Sequence, residues 1–134
     1  MSNSGTIELA RRFVSALNTK DEAAIRQIYA PDAAIWHNFD GKHQTIDENL
    51  RGMYWIHKRL SGISYDVVNL VELPDGYLQE HVLRGKLPSG EDFAMPACVI
   101  CKVQDGRVTS LREYLDLTHT QPLTAQRSTV SPAS

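Results

Sequence analysis

Apolar residues recur at helical spacing in the first part of the chain. Between residues 6 and 18, Leu9, Phe13 and Leu17 fall on one stripe, with Ala10 and Val14 beside it. This period of three to four residues predicts an amphipathic helix that packs its stripe against a core.

Two further helices are predicted from their start signals. Thr19-Lys-Asp-Glu22 matches a capping box and opens a short helix that ends before Pro31. A second box, Thr45-Ile-Asp-Glu48, opens a third helix that runs to about Leu60. A short strand at residues 33–38 is expected between these two helices.

The second half of the chain has the pattern of strands. Its four extended segments are separated by Gly-containing turns of hairpin length, and they cover residues 63–73, 77–87, 92–103 and 107–117. We therefore predict an α+β cone, in which a curved antiparallel sheet wraps around three N-terminal helices and encloses a pocket. Residues 1–117 would form this domain, and the polar residues 118–134 a flexible tail.

Composition limits the function classes. The chain has 134 residues, enough for one domain, and its formal net charge is -2 without a basic patch. Nucleic acid and membrane partners are therefore not expected. No signal peptide or membrane span is visible, which favours a cytoplasmic location. Cys98 and Cys101 lie three apart in a strand, so they face opposite ways and are interpreted as reduced core thiols.

One carboxylate stands out on the last strand. Leu111, Glu113, Leu115 and Leu117 share a face, and a carboxylate buried among leucines needs a partner for its charge. Glu113 is therefore interpreted as a pocket residue, although it could lie exposed at a frayed edge. His81 lies on a strand two positions away in the meander, where it could meet Glu113 over the intervening strand or remain an isolated surface imidazole.

The stretch "DAAIWHNFDG" supplies further polar candidates. Alternation puts Trp36 and Asn38 on one face and His37 on the other. His57 falls on the apolar stripe of the third helix, as a core-edge histidine or a fourth polar pocket group. A metal site built from the histidines and Glu113 is a weaker alternative, because no ligand spacing supports it; no metal is expected.

The segments "RFVSALNTKDEAAIRQIYAPDAAIWHN", "LPSG" and "DGRVTSLREYLDL" resemble the nuclear-transport-factor-2-like superfamily. This is the cone-shaped fold of ketosteroid isomerase, limonene epoxide hydrolase and the SnoaL-type polyketide cyclases. The resemblance covers about residues 5–117 and implies a homodimer formed through the outer sheet face. It indicates the fold rather than the reaction, because the superfamily contains both enzymes and binding domains.

Limonene epoxide hydrolase is the more informative comparison. Its strand-one Tyr and Asn, which help hold the attacking water, match Trp36 and Asn38, so the amide is kept and the phenol is lost. The resemblance implies that Trp36 and Asn38 wall the cavity mouth, with His37 turned away or lifted by a bulge. Its Arg and Asp on the middle strand match His81 and Leu83, and its basic Asp matches Glu113. The second carboxylate is therefore missing. Ketosteroid isomerase fits less well, since its buried acid donor has no counterpart in "ACVIC".

We therefore predict a cofactor-free enzyme that acts on a hydrophobic small molecule. Glu113 would be the general base, His81 its partner, and Asn38 the group that holds a water. Hydrolase, isomerase and cyclase chemistry all remain open. The alternative is a non-catalytic ligand-binding or dimerisation module. The residues predicted to shape the pocket are Trp36, His37, Met53, His57, Leu83, Met95, Val99 and Leu111.

Overall fold

The computed structural model of the chain describes residues 3–124. Its helices are α1 (Asn3–Thr19), α2 (Glu22–Ile28) and α3 (Ile46–His57). Its strands are β1 (Tyr29–His37), β2 (His43–Gln44), β3 (Ser61–Leu73), β4 (Gly76–Lys86), β5 (Asp92–Gln104) and β6 (Arg107–Leu115). A turn of 3₁₀ helix, Leu117–Thr120, follows β6.

The two predicted capping boxes have different outcomes. At the start of α3 the Thr45 side chain accepts from the Glu48 backbone and the Glu48 side chain accepts from the Thr45 backbone, so this box is confirmed. The box predicted at Thr19 is wrong. Thr19 still belongs to α1, and Asp21 caps α2 by accepting a hydrogen bond from the Ala24 backbone. The short acceptor one position before Glu22 reaches the free N–H groups of the first turn.

The strands form one curved, unclosed sheet in the order β2-β1-β6-β5-β4-β3. Strands β3 to β6 pair antiparallel as the predicted meander. The sheet is nevertheless mixed, because β1 lies parallel to β6. After β1, the chain passes through β2 and α3 to β3, which lies at the opposite edge of the sheet. It then returns strand by strand until β6 lies beside β1. The α+β class and the helices on one side of a curved sheet agree with the prediction.

The core lies between the helices and the concave face of the sheet. Helix α1 buries the side of its stripe that carries Leu9 and Phe13, each 7% exposed or less. Full burial of such a side chain contributes about 1.5–3 kcal/mol to the free energy of unfolding. Cys101 is buried in this core and Cys98 is half-buried on the opposite face, and both are free thiols. Burial raises the pKa of Cys101 to about 12, which keeps this thiol protonated.

The segment after β6 differs from the prediction. The flexible tail was expected from Thr118, but the chain turns back there and packs against the domain as far as residue 124. Leu123 is only 1% exposed and lies in a second core cluster with Leu87 and Phe93. Its apolar side chain, in a largely polar segment, is the part of the segment that packs into this cluster. The rest of the predicted tail, residues 125–134, lies outside the described residues.

Candidate active site

Helices α1 and α3 and the concave face of the sheet enclose a cavity of about 310 Å³. This volume is at the lower end of the range typical of small-molecule sites. Most of the lining side chains are aliphatic or aromatic. Among the described lining residues there is no lysine or arginine, and Glu113 is the only carboxylic acid. The polar members of the lining besides Glu113 are His37, Gln44, Asn49, His57, Gln79, His81, Thr120 and the tyrosines Tyr29, Tyr65 and Tyr77.

His37 and Glu113 form a hydrogen-bonded pair across the parallel strands. They are register partners on β1 and β6, and His37 Nε2 donates to Glu113 Oε1 at 3.1 Å. The side chains are 8% and 20% exposed, so the pair is largely shielded from solvent. No described residue hydrogen-bonds the second oxygen, Oε2, and it is not among the fully enclosed unpartnered atoms. Glu113 therefore presents one held oxygen and one open oxygen.

The pair continues into a row across the sheet. Glu113 is in register with Val99 on β5, and Val99 is in register with Gln79 on β4. The four side chains from His37 to Gln79 therefore lie side by side on the concave face, although they come from distant parts of the sequence. The apolar Val99 separates the pair of His37 and Glu113 from Gln79 in this row.

Gln79 and His81 form a second polar pair on the inward face of β4. Gln79 Nε2 donates to His81 Nδ1 at 2.9 Å, and the residues are 4% and 6% exposed. Since Nδ1 accepts, the proton of the neutral imidazole is on Nε2. Burial lowers the pKa of His81, and the negative charge of Glu113 opposes this only in part. His81 is thus a neutral ring that can donate from Nε2.

His57 and Tyr65 form a third pair, between α3 and β3. His57 Nε2 lies 2.7 Å from the Tyr65 hydroxyl. Burial lowers the pKa of His57 to about 4, and the positive charge of Lys20 adds to the effect. Burial raises the pKa of Tyr65, and the charge of Glu113 raises it further. Both groups therefore stay uncharged near neutral pH.

The expectation that Trp36 walls the pocket is wrong. Burial along β1 alternates so that Ala33, Ile35 and His37 face inward, which places Trp36 on the outer face. There the guanidinium of Arg112 lies 4.0 Å above the Trp36 ring. The large indole is half-buried by this contact without entering the core.

Asn38 also lies outside the cavity. Its Oδ1 accepts a hydrogen bond from the Leu115 backbone at 3.0 Å, and its own backbone N–H donates to the Glu113 carbonyl at 3.1 Å. Asn38 thus extends the pairing of β1 with β6 beyond the end of β1. Its Oδ1, the atom expected to hold a water, is occupied by the hydrogen bond from the Leu115 backbone. It fixes the strand that carries Glu113 and does not face the cavity.

The remaining predicted residues lie on the cavity wall. They are His37, Met53, His57, His81, Leu83, Met95, Val99, Leu111 and Glu113. His81 does not hydrogen-bond Glu113, because its row partner is Ala97, two residues before Val99 on β5. The expected contact of Glu113 with His81 is therefore replaced by one with His37.

Gln79, Tyr29 and Tyr65 are cavity residues that the sequence pattern alone did not single out. Alternation already placed Gln79 on the same strand face as His81 and Leu83, which was the available signal. Within residues 3–124, no group of three or more His, Cys, Asp or Glu side chains is arranged to hold a metal ion. None of the helices described is both long and apolar enough to cross a bilayer.

The sequence model of the SnoaL-like domain family matches residues 10–111, which is more than half of the chain and includes α2, α3 and most of the sheet. The chain belongs to the SnoaL-like domain family. No curated protein shows significant sequence similarity to it.

Solved structures share the fold of this SnoaL-like domain at low sequence identity. AclR, a putative hydroxylase from Streptomyces galilaeus, superposes with a TM-score of 0.82 at 14% identity, covering 93% of this chain and 83% of AclR. IdmH, a putative polyketide cyclase from Streptomyces antibioticus, gives 0.79 at 19% identity, covering 90% and 98%. A ketosteroid isomerase-like protein from Catenulispora acidiphila, in complex with trimethylamine, gives 0.70 at 18%, covering 85% and 89%.

Proposed function

We propose that this SnoaL-like domain is an acid-base enzyme of the cyclase or isomerase type, acting on an uncharged, mostly apolar carbonyl compound. The observation that carries the proposal is the state of Glu113. One carboxyl oxygen is held by His37, and the other is open within a cavity whose other described lining residues include no acid, lysine or arginine. A base that is oriented in this way, in an apolar pocket, is suited to remove a proton from carbon.

The first step uses two groups of the cavity. Glu113 Oε2 takes a proton from the carbon next to a carbonyl group. The electron pair of the C–H bond becomes the second bond between the two carbons, and the π pair of the carbonyl group moves onto its oxygen. The Nε2–H of neutral His81 donates to that oxygen as it becomes negative. A neutral imidazole suits this role, because it donates without bringing a competing positive charge beside Glu113.

The second step decides between the two reaction types. In an isomerisation, Glu113 returns its proton to another carbon of the same enolate. In a cyclisation, the enolate carbon attacks a second carbonyl carbon of the ligand, and the proton on Glu113 passes to the new alkoxide oxygen. Both routes leave the enzyme unchanged and need no other reactant. IdmH, which shares the fold of this domain, is described as a putative polyketide cyclase. This similarity favours the cyclisation.

Two surrounding features support this assignment of roles. His37 holds Oε1 of Glu113 and so fixes the direction in which Oε2 points, which makes His37 a positioning residue. The apolar lining, with Met53, Met95 and Leu111, keeps bulk water away from the enolate. Electrostatic interactions inside such a site are stronger than in water.

Epoxide hydrolysis of the limonene epoxide hydrolase type has less support. The position of the second acid is Leu83, and Asn38, the expected water ligand, lies outside the cavity. Formation of a homodimer through the outer sheet face, where Trp36, Arg112 and Tyr114 lie together, remains a prediction.

The test measures proton removal without knowledge of the product. Exchange of the α-hydrogens of 2-tetralone with D₂O is followed by NMR for the wild type and for Glu113→Gln. The wild type should accelerate exchange, and the variant should lose ~10²-fold or more of this rate while it still binds the ketone. Glu80→Gln is the matched control, since Glu80 is exposed and its side chain accepts a hydrogen bond from Asn69 outside the cavity. Equal exchange by wild type and Glu113→Gln would favour the binding-module alternative.

A further inference from the structure

Tyr29 occupies the buried end of the cavity. It is the first residue of β1, its register partner is Val108 on β6, and it is 2% exposed. The Phe13 ring contacts it edge to face, with the ring centroids 5.3 Å apart. The opposite end of the cavity carries Phe39 and Leu117, which are 42% and 44% exposed. A ligand that enters between these exposed side chains would reach Tyr29 last.

The hydroxyl of Tyr29 has no hydrogen-bond partner among the described residues. Polar groups in protein interiors are nearly always hydrogen-bonded, because a buried group without a partner costs about 1–3 kcal/mol. The fully enclosed unpartnered side-chain atoms are His37 Nδ1, His57 Nδ1 and Gln79 Oε1. The Tyr29 oxygen is not among them, so the small exposed part of this residue includes the hydroxyl. It opens into the cavity that the ring lines.

The surroundings decide the kind of group that the hydroxyl can bind. Burial raises the pKa of Tyr29, with contributions from Cys101 and Glu113, so the phenol keeps its proton and donates. A ligand carboxylate at this position would be repelled by Glu113, and none of the described lining residues is a lysine or arginine that could neutralise it. An uncharged acceptor has neither difficulty.

We propose that the Tyr29 hydroxyl is a second oxygen-binding subsite, which takes a neutral carbonyl oxygen at the buried end of the ligand. The ligand then carries two oxygens separated by an apolar part, one at Tyr29 and one at His81 beside Glu113. This inference deepens the proposed function by naming the substrate class as a dicarbonyl compound. The proposed subsite concerns ligand binding alone. The proposal can therefore be correct even if Glu113 does not act as a base.

Two pairs of rigid aryl ketones of different length test the subsite. The pairs are 2,6-diacetylnaphthalene with 2-acetylnaphthalene, and 1,4-diacetylbenzene with acetophenone. Dissociation constants are measured by calorimetry, which does not depend on turnover. For at least one pair, the wild type should bind the diketone about five- to tenfold more tightly than the monoketone, as expected for one additional neutral hydrogen bond.

Tyr29→Phe keeps the ring against Phe13 and removes only the hydroxyl. This variant should lose the preference for the diketone and bind the monoketone within about twofold of the wild type. Tyr54→Phe is the control, because the Tyr54 hydroxyl bonds Glu22 outside the cavity; it should keep the preference. The subsite is overturned if neither pair shows a preference in the wild type, or if Tyr29→Phe keeps it.

A measurement on the wild type covers the case in which Tyr29→Phe does not fold. The infrared carbonyl bands of the bound diketone should both lie below their position in an apolar solvent, because both oxygens accept hydrogen bonds. One band at the position of the apolar solvent would show a carbonyl without a donor and would overturn the proposal. These binding results are independent of hydrogen exchange by Glu113, so the two proposals fail separately.

Discussion

Gln79 donates a hydrogen bond from Nε2 to Nδ1 of His81 at 2.9 Å, and each residue is less than 10% exposed. The two side chains are two residues apart on one face of β4, so the strand itself sets their spacing. A donor that is fixed on Nδ1 leaves Nε2 as the only nitrogen that can carry the proton of the neutral ring.

The state of this imidazole can be measured directly. In ¹⁵N NMR spectra near pH 7, His81 Nδ1 should have the shift of an unprotonated nitrogen and Nε2 that of a protonated one. Gln79→Leu removes the donor, so a mixture of the two forms should appear and exchange of 2-tetralone should slow by about tenfold. Gln104→Leu, at an exposed position of β5, should change neither. Unaltered His81 shifts in Gln79→Leu would show that Gln79 does not orient the ring.

His57 predicts a specific dependence of stability on pH. Its pKa falls from the ordinary 6.5 to about 4 in the folded protein, so below pH 6.5 the unfolded chain binds more protons. The contribution of neutral His57 is therefore complete above about pH 6.5 and is lost as the pH falls through 4. The loss is on the order of 3 kcal/mol in total. The lowered pKa of His81 acts in the same direction.

Urea unfolding between pH 7 and pH 4 checks this dependence. Carboxyl groups also titrate in this range, so the quantity to follow is the difference in free energy of unfolding between the wild type and His57→Gln. This difference should shrink steadily as the pH falls. Gln104→Leu, which changes no ionisable group at an exposed position of β5, should give a difference that does not change with pH. A constant difference for His57→Gln would contradict the lowered pKa.

Leu123 predicts that the segment after β6 stabilises the domain. Truncating a leucine that is buried in a core usually costs about 2–5 kcal/mol. Leu123→Ala, and removal of the chain from Thr118 onward, should therefore lower the free energy of unfolding by at least about 2 kcal/mol. Leu117→Ala, at a position that is 44% exposed, should cost less than about 1 kcal/mol. If the truncated chain lost less than about 1 kcal/mol in urea unfolding, the original interpretation as a dispensable tail would be correct.

Periodicity predicted most of the fold because it acts locally. The stripe of α1, the box at Thr45 and the turns of the meander are each decided within a few residues. Glu113 was also identified, because three leucines share its strand face and fix the direction of that face.

The arrangement of the site was harder to predict because it depends on strand β1. In "AAIWHN" both Ile35 and Trp36 are apolar, so alternation does not decide which of them faces the core. The decision comes from the parallel register with β6, which pairs Ile35 with Leu111 and His37 with Glu113. This register is a tertiary property that no short window of sequence contains. The wrong choice placed Trp36 and Asn38 on the cavity face and left the partnership of His37 with Glu113 unpredicted.

The contact between His37 and Glu113 joins residues that are 76 positions apart in the chain. Closing so long a loop carries a large entropic cost, and such contacts form late unless many others bring them together. Since β6 is the last strand of the sheet, a nascent or partly folded chain can hold α1, α3 and part of the meander without an oriented carboxylate. The complete site therefore appears only with the complete sheet.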